Sequence, residues 1–150
     1  MAKIRTVAGE LGTDVVLSVF RANGLLVEAG DRISGAQGLT AARWQVLGAV
    51  ALAERPPTVP QIARRMGLTR QSVHATVKRL AEDGLVELTE NDDHRRSPRV
   101  RLTRDGVETY RSLDRAQTRW VNELTRGIRP ADLRVAKDVL AELERRLEGR

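Results

Sequence analysis

Between Arg55 and Ala81 the sequence holds Arg55, Arg64, Arg65, Arg70, Lys78 and Arg79 and no acidic residue. Between His94 and Arg104 it holds Arg95, Arg96, Arg99, Arg101 and Arg104, again without an acid. Fixed cations lacking internal counter-charges suit the binding of a polyanion, because duplex DNA releases condensed counterions to such a surface. The flanking thirds are nearly balanced, with five basic against five acidic residues over 1–54 and ten against nine over 105–150, so the middle third carries most of the net charge of +6. A single basic run reads as a solvated helix face; two of them, each beside turn signals, point instead to nucleic acid.

Other chemistries find little support. His74 and His94 are the only histidines, and there is no cysteine, which removes disulfides, thiolate metal sites and thiol redox sensing. Asp92, Asp93 and His94 are of metal-ligand type without a convincing spacing, and read as a surface loop. No Gly-rich phosphate loop, nucleophile elbow or HExxH motif occurs. The sequence therefore predicts a binding protein with no catalytic residue, metal or cofactor. Its 150 residues, 41% apolar and 31% charged, suffice for one globular domain. With only Phe20, Trp44, Tyr110 and Trp120 as aromatics, the core rests on Leu, Val and Ala, which favours packed helices. No apolar run is long enough for a bilayer, and Lys3, Arg5, Glu10, Asp14 and Arg21 interrupt the stretch a signal peptide would need; a cytoplasmic protein without membrane contact is expected.

The elements that position the cations follow from periodicity and caps. A first helix is expected from Thr13, as cap, to about Ala29, and the glycines between Gly30 and Gly38 read as a loop. Thr40 caps a second helix over about Ala41–Ala53, ended by Pro56 and Pro57. Thr58-Val59-Pro60-Gln61 has the form of a capping box for a short helix to Met66, and after Gly67 the cap Thr69 starts another that reaches about Asp83 before Gly84. The period then changes to 2: Leu85, Val86 and Leu88, then Val100 and Leu102, enclose a charged tip and form a hairpin, with Pro98 at a strand start or edge. A long helix follows over about Arg104–Arg126. The last begins at Pro130 and carries Leu133, Ala136, Leu140, Leu143 and Leu147 at 3, 4, 3 and 4 spacing, a seam suited to a partner subunit.

The central unit has the pattern of a helix-turn-helix. Ala63 is small at the helix crossing, Gly67 permits the turn, and Ile62, Met66, Leu68, Val73, Val77 and Leu80 form its core. Rotation of 100° per residue then places Gln71, Ala75 and Lys78 outward with His74 on the flank, facing a major groove. Thr69, Arg70 and Ser72, at the helix start, suit phosphates. The hairpin is a wing, whose Arg95 or Arg96 enters the minor groove with Asp92 or Asp93 holding one of them in shape.

The run LTRQSVHATVKRLAEDGLVE from Leu68 to Glu87, the run RRSPRVRLTRDG from Arg95 to Gly106, and Leu39-Thr40 with Trp44 and Leu47 resemble the MarR family (multiple antibiotic resistance regulator) of winged-helix transcriptional regulators. The resemblance implies a mainly α fold with a small β-hairpin wing. The whole of 1–150 is then one MarR-like domain, with dimerisation helices in 1–38 and 104–150 around a winged helix-turn-helix in 39–103. It further implies a homodimer on a pseudo-palindromic duplex, acting as a repressor, and a small aromatic or phenolic effector in a pocket that Trp44 helps to line. The family commonly has Asp two residues before the wing arginine. Counting back from Leu102-Thr103 puts Arg96 in the arginine place and His94 in that of the Asp, whereas counting from Asp93 selects Arg95. An architectural winged helix that binds nucleic acid without sequence preference is the alternative.

Overall fold

The computed structural model describes residues 5–149. In chain order the elements are α1 (Val7–Gly35), α2 (Ala41–Ala51), α3 (Val59–Met66), α4 (Arg70–Glu82), β1 (Val86–Thr89), β2 (Arg99–Leu102), α5 (Arg104–Leu124) and α6 (Pro130–Glu148). They fall into two units, one reaching Ala116 and the other starting at Gln117. Among the described residues no helix is long and apolar enough to cross a membrane.

α1 is longer at both ends than its sequence suggests. Thr6, not Thr13, is the cap, its Oγ1 accepting from Gly9 N–H at 3.0 Å, while the Thr13 hydroxyl donates to the Gly9 carbonyl inside the helix. The segment expected to be a loop from Gly30 is helical to Gly35. Gly30 serves close approach and not a break: a Cβ there would lie 2.9 Å from Ala41 Cβ. Two polar groups fix that crossing. Asp31 Oδ1 accepts from Ala41 N–H at 2.7 Å, and the buried Ser34 hydroxyl sits 2.6 and 3.1 Å from the Gly30 and Leu39 carbonyls.

Caps set the next three helices. Thr40 Oγ1 accepts from Arg43 N–H, Gln61 Oε1 accepts from Thr58 N–H at 2.9 Å within a capping box, and Thr69 Oγ1 accepts from Ser72 N–H. Gly67 takes a left-handed conformation that ends α3 and turns the chain into α4. Ile62, Ala63, Val73, Val77 and Leu80 are buried with Leu47, Val100 and Leu113 in one cluster. Burial of the side chains that the sequence places inward is what orients α4. Leu68 does not join them; it is exposed, because its N–H bonds back to the Ala63 carbonyl in the turn and holds its backbone outside the core.

β1 and β2 pair antiparallel from Val86↔Leu102 to Thr89↔Arg99. On the other edge of β2, Thr58 bridges Arg99 and Val100 N–H donates to the Pro57 carbonyl at 2.7 Å, so the wing is tied to the segment before α3. Pro98 stands just before β2, where its missing N–H costs no ladder bond. Thr103 closes the hairpin onto α5: its N–H donates to the Leu85 carbonyl, its hydroxyl donates to the Gly84 carbonyl at 2.6 Å, and its Oγ1 accepts from Gly106 N–H. Farther along α5, Leu113 enters the core and Ser112 Oγ accepts from Gln37 Nε2. Partial burial, with Asp114 nearby, raises the pKa of the Tyr110 phenol.

In the second unit, Arg129 holds Asp132 in a two-bond pair at the start of α6, and no residue of α6 is buried.

Of the described glycines Gly106 has the least room for a side chain, since a Cβ would stand 1.9 Å from the Leu85 carbonyl oxygen. Gly106→Ala is expected to destabilise by about 3 kcal/mol or more, because backbone must move. Gly48→Ala meets only the Tyr110 ring edge at 3.8 Å and should be neutral or stabilising by up to about 1 kcal/mol. Urea unfolding of both variants checks the pair.

Candidate nucleic-acid interface

The interface is assembled by two local structures, the exposed face of α4 and the tip of the wing. Gln71, Ser72, His74, Ala75 and Lys78 are all exposed on α4, and Arg70 stands in its first turn. Capping consumes part of the helix start: Thr69 Oγ1 is taken by Ser72 N–H, and the Ser72 hydroxyl donates to the Thr69 carbonyl at 3.0 Å.

The wing loop is ordered by one buried side chain. Asn91 is 3% exposed, its Nδ2 donating to the Ser97 carbonyl at 2.8 Å and its Oδ1 accepting from Asp93 N–H at 3.3 Å. Two consecutive turns follow, closed by His94 N–H to the Asn91 carbonyl and Ser97 N–H to the His94 carbonyl. Arg95 and Arg96 are therefore the two central residues of the second turn, at the tip. They part there. Arg96 lines a cleft of about 640 Å³ together with Arg70, Gln71, His74 and Lys78, whose apolar wall includes Val59, Pro60, Val77, Leu88 and Pro98. Arg95 lines a separate hollow with Glu90, Asn91 and Asp92.

Ion pairing sorts the cations of the two basic stretches. Arg79 pairs with Glu82 and Asp83, Arg99 with Asp93, Arg101 with Glu87, and Arg104 with Glu108. Among the described residues, Arg55, Arg64, Arg65, Arg70, Lys78, Arg95 and Arg96 form no ion pair. The surface charge left for a polyanion is thus smaller than the sequence count and concentrated on α3, α4 and the wing tip. Asp93 corrects one expectation: it holds neither Arg95 nor Arg96 but Arg99, because the turn at His94–Ser97 carries the two tip arginines away from it.

Five of the expected DNA-facing residues thus meet in one cleft; Thr69, the cap of α4, and Ser72 and Ala75 on α4 do not line it, and Arg95 lines the separate hollow of the wing loop. Trp44, expected to line an effector pocket, is half-buried on α2 and packs against the core cluster. Asn91 was not singled out by the sequence, although an asparagine opening a loop two residues before an aspartate is a signal for a side-chain-closed turn.

The profile of the MarR family matches residues 37–97, the span from the end of α1's loop through the wing tip. An uncharacterized protein of Mycobacterium tuberculosis is 38% identical over 129 residues, covering 86% of this chain and 89% of that protein. The chain belongs to the MarR family. Its winged-helix architecture is shared with the M. tuberculosis transcriptional regulator MOSR in complex with DNA, at 25% identity and a TM-score of 0.72 over 89% of this chain and 96% of that one. Staphylococcus aureus MarR in complex with salicylate and kanamycin has the same MarR fold, at 17% identity and a TM-score of 0.75 over 94% and 95% of the two chains. The mainly helical fold with a hairpin wing, implied by resemblance, is therefore the observed one.

Replacing Asn91 by Ala strands the Ser97 carbonyl and frees the loop, a loss of about 1–3 kcal/mol of local stability. Amide hydrogen exchange at Asp93–Ser97 should quicken while the protection of α4 is unchanged.

Proposed function

We propose that this MarR-family protein is a sequence-specific DNA-binding transcription regulator, a homodimeric repressor of a pseudo-palindromic operator. The observation that carries the reading is the cleft in which cations free of carboxylate partners on α4 and the wing converge with Gln71 and His74. Gln71 bonds an adenine edge, Lys78 a guanine edge or phosphate, and Ala75 contacts a thymine methyl in the major groove. Arg70, with Thr69 and Ser72 at the helix start, meets phosphates, and the wing arginines enter the minor groove. Base-edge donors beside a fixed wing favour site selection over the architectural alternative, which needs only the charge.

The homodimer is supported by apolar surface outside the winged helix. Val16, Val19, Phe20 and Leu26 on α1 and Leu133, Val139, Leu140 and Leu147 on α6 are exposed in the single chain. α6 has no fully buried residue, whereas helices in proteins draw most of their stability from packing an apolar face, and a second copy supplies that burial. Two copies then set two α4 helices in successive major grooves, roughly 34 Å apart. The effector of this reading is a small aromatic or phenolic molecule that meets Trp44 and weakens DNA binding; the salicylate complex of S. aureus MarR supports that chemistry.

Anisotropy titration of the duplex upstream of the protein's own gene against a scrambled duplex, at several salt concentrations, tests the reading. A marked preference for the native duplex is expected. Equal, salt-governed affinity for both would favour the architectural alternative. In the same assay Lys78→Ala should cost about 1–3 kcal/mol, and Arg95→Ala with Arg96→Ala a similar further amount, with melting unchanged. Unaltered affinity of the double variant would refute the minor-groove role.

Leu140→Glu with Leu143→Glu introduces charge into the seam of α6 and should give a monomer by sedimentation at concentrations where the parent is dimeric. A surviving dimer would exclude this helix from the interface.

A further inference from the structure

Arg99 belongs to the basic stretch of the wing, yet its surroundings are those of an internal strut. We propose that Arg99 is a positioning residue, which locks the wing loop to the start of α3 and so presents the tip arginines, and that it makes no DNA contact of its own. The inference rests on the DNA-binding reading above.

Two side-chain bonds tie this residue to two separate segments: its Nη1 donates to the Pro56 carbonyl at 2.9 Å and its Nη2 donates to Asp93 Oδ2 at 3.1 Å. Its backbone stands opposite Thr58 in a bridge whose bond is made by the next residue, Val100 N–H to the Pro57 carbonyl. Pro56 and Thr58 precede α3, whereas Asp93 sits inside the wing loop between the buried Asn91 and the turn that carries Arg95 and Arg96. One planar guanidinium thus spans the gap between loop and helix-turn-helix, with both edges of its fork occupied. A lysine ammonium is a single point of charge and cannot reproduce that two-ended geometry.

The side chain of Arg99 is only 25% exposed, while that of Asp93 is 78% exposed. A pair so open to solvent at one end adds little to folding stability. Its effect is on order: a loop that must enter a groove loses conformational freedom on binding, and a strut that removes this freedom beforehand raises affinity without adding a contact. Arg95 and Arg96, which have no ion-pair partner among the described residues, are the groups so presented.

A double-mutant cycle on the operator duplex tests the assignment. Arg99→Ala is expected to weaken binding about tenfold, and Asp93→Ala in the same direction, with thermal melting near that of the parent. Arg99→Lys, which keeps the charge, should not restore affinity. The decisive comparison is the triple variant Arg95→Ala, Arg96→Ala, Arg99→Ala, which should bind no more weakly than the Arg95→Ala, Arg96→Ala double variant. An additive further loss, a rescue by lysine, or full affinity of both Arg99→Ala and Asp93→Ala would overturn the proposal while leaving the DNA-binding reading intact. If the tip double variant itself binds like the parent, the wing reading fails first and the strut with it; absence of binding by the parent overturns the function itself.

Discussion

The Leu85 carbonyl lies so near Gly106 that a Cβ there would stand 1.9 Å from its oxygen, and the junction of wing and α5 depends on that space being empty. At this point the chain has left α4, and it must both begin the wing and accept the start of α5 against the same carbonyl. Thr103 uses its N–H and hydroxyl to satisfy the carbonyls of Leu85 and Gly84, and its oxygen then receives the Gly106 N–H. A side chain at Gly106 would clash with the Leu85 carbonyl and leave no room for the helix. The placement of the hairpin beside α4 is therefore constrained here by sterics and hydrogen bonds, together with the core contacts of α4 and the bond from Val100 N–H to the Pro57 carbonyl. The cleft that gathers Arg70, Gln71, His74, Lys78 and Arg96 is a product of that placement.

Electrostatics act on a different principle, subtraction. Carboxylates at Glu82, Asp83, Glu87, Asp93 and Glu108 neutralise the cations beside them, and what remains unpaired in the two basic stretches is Arg55 before α3 and the cations of α3, α4 and the wing tip. An exposed ion pair stabilises little, yet it removes a charge from the field that an approaching polyanion senses. The acidic residues near the interface thereby sharpen its outline as much as the basic ones create it.

Much of this was legible in the sequence because it is local. Thr40, Thr58 with Gln61, Thr69, Gly67 and Gly84 each specify a cap or a turn within a few residues, and the period of Val73, Val77 and Leu80 fixes which face of α4 is exposed. What escaped depends on tertiary proximity. Thr13 has the type of a cap but lies inside a helix already started by Thr6, and Gly30 looks like a breaker until Ala41 is seen beside it. Leu68 reads as core by composition and is held outside by a backbone bond. Asp93 and Arg99, six residues apart, give no pattern that announces a pair, and the bond of Arg99 to Pro56 spans more of the chain than any periodicity can reach.

The crossing of α1 over α2 has a mechanical side. Contact of Gly30 with Ala41, the Asp31 cap and the Ser34 hydroxyl between two carbonyls leave no slack where the helices meet. α1 runs from Val7 to Gly35, so its arm beyond Gly30 is a lever roughly 35 Å long, and moving the far end by about 3 Å corresponds to turning the body clamped at its base by about 5°. Torque applied near Val7 is delivered to the winged helix as rotation, with the clamp at Gly30 as its fulcrum.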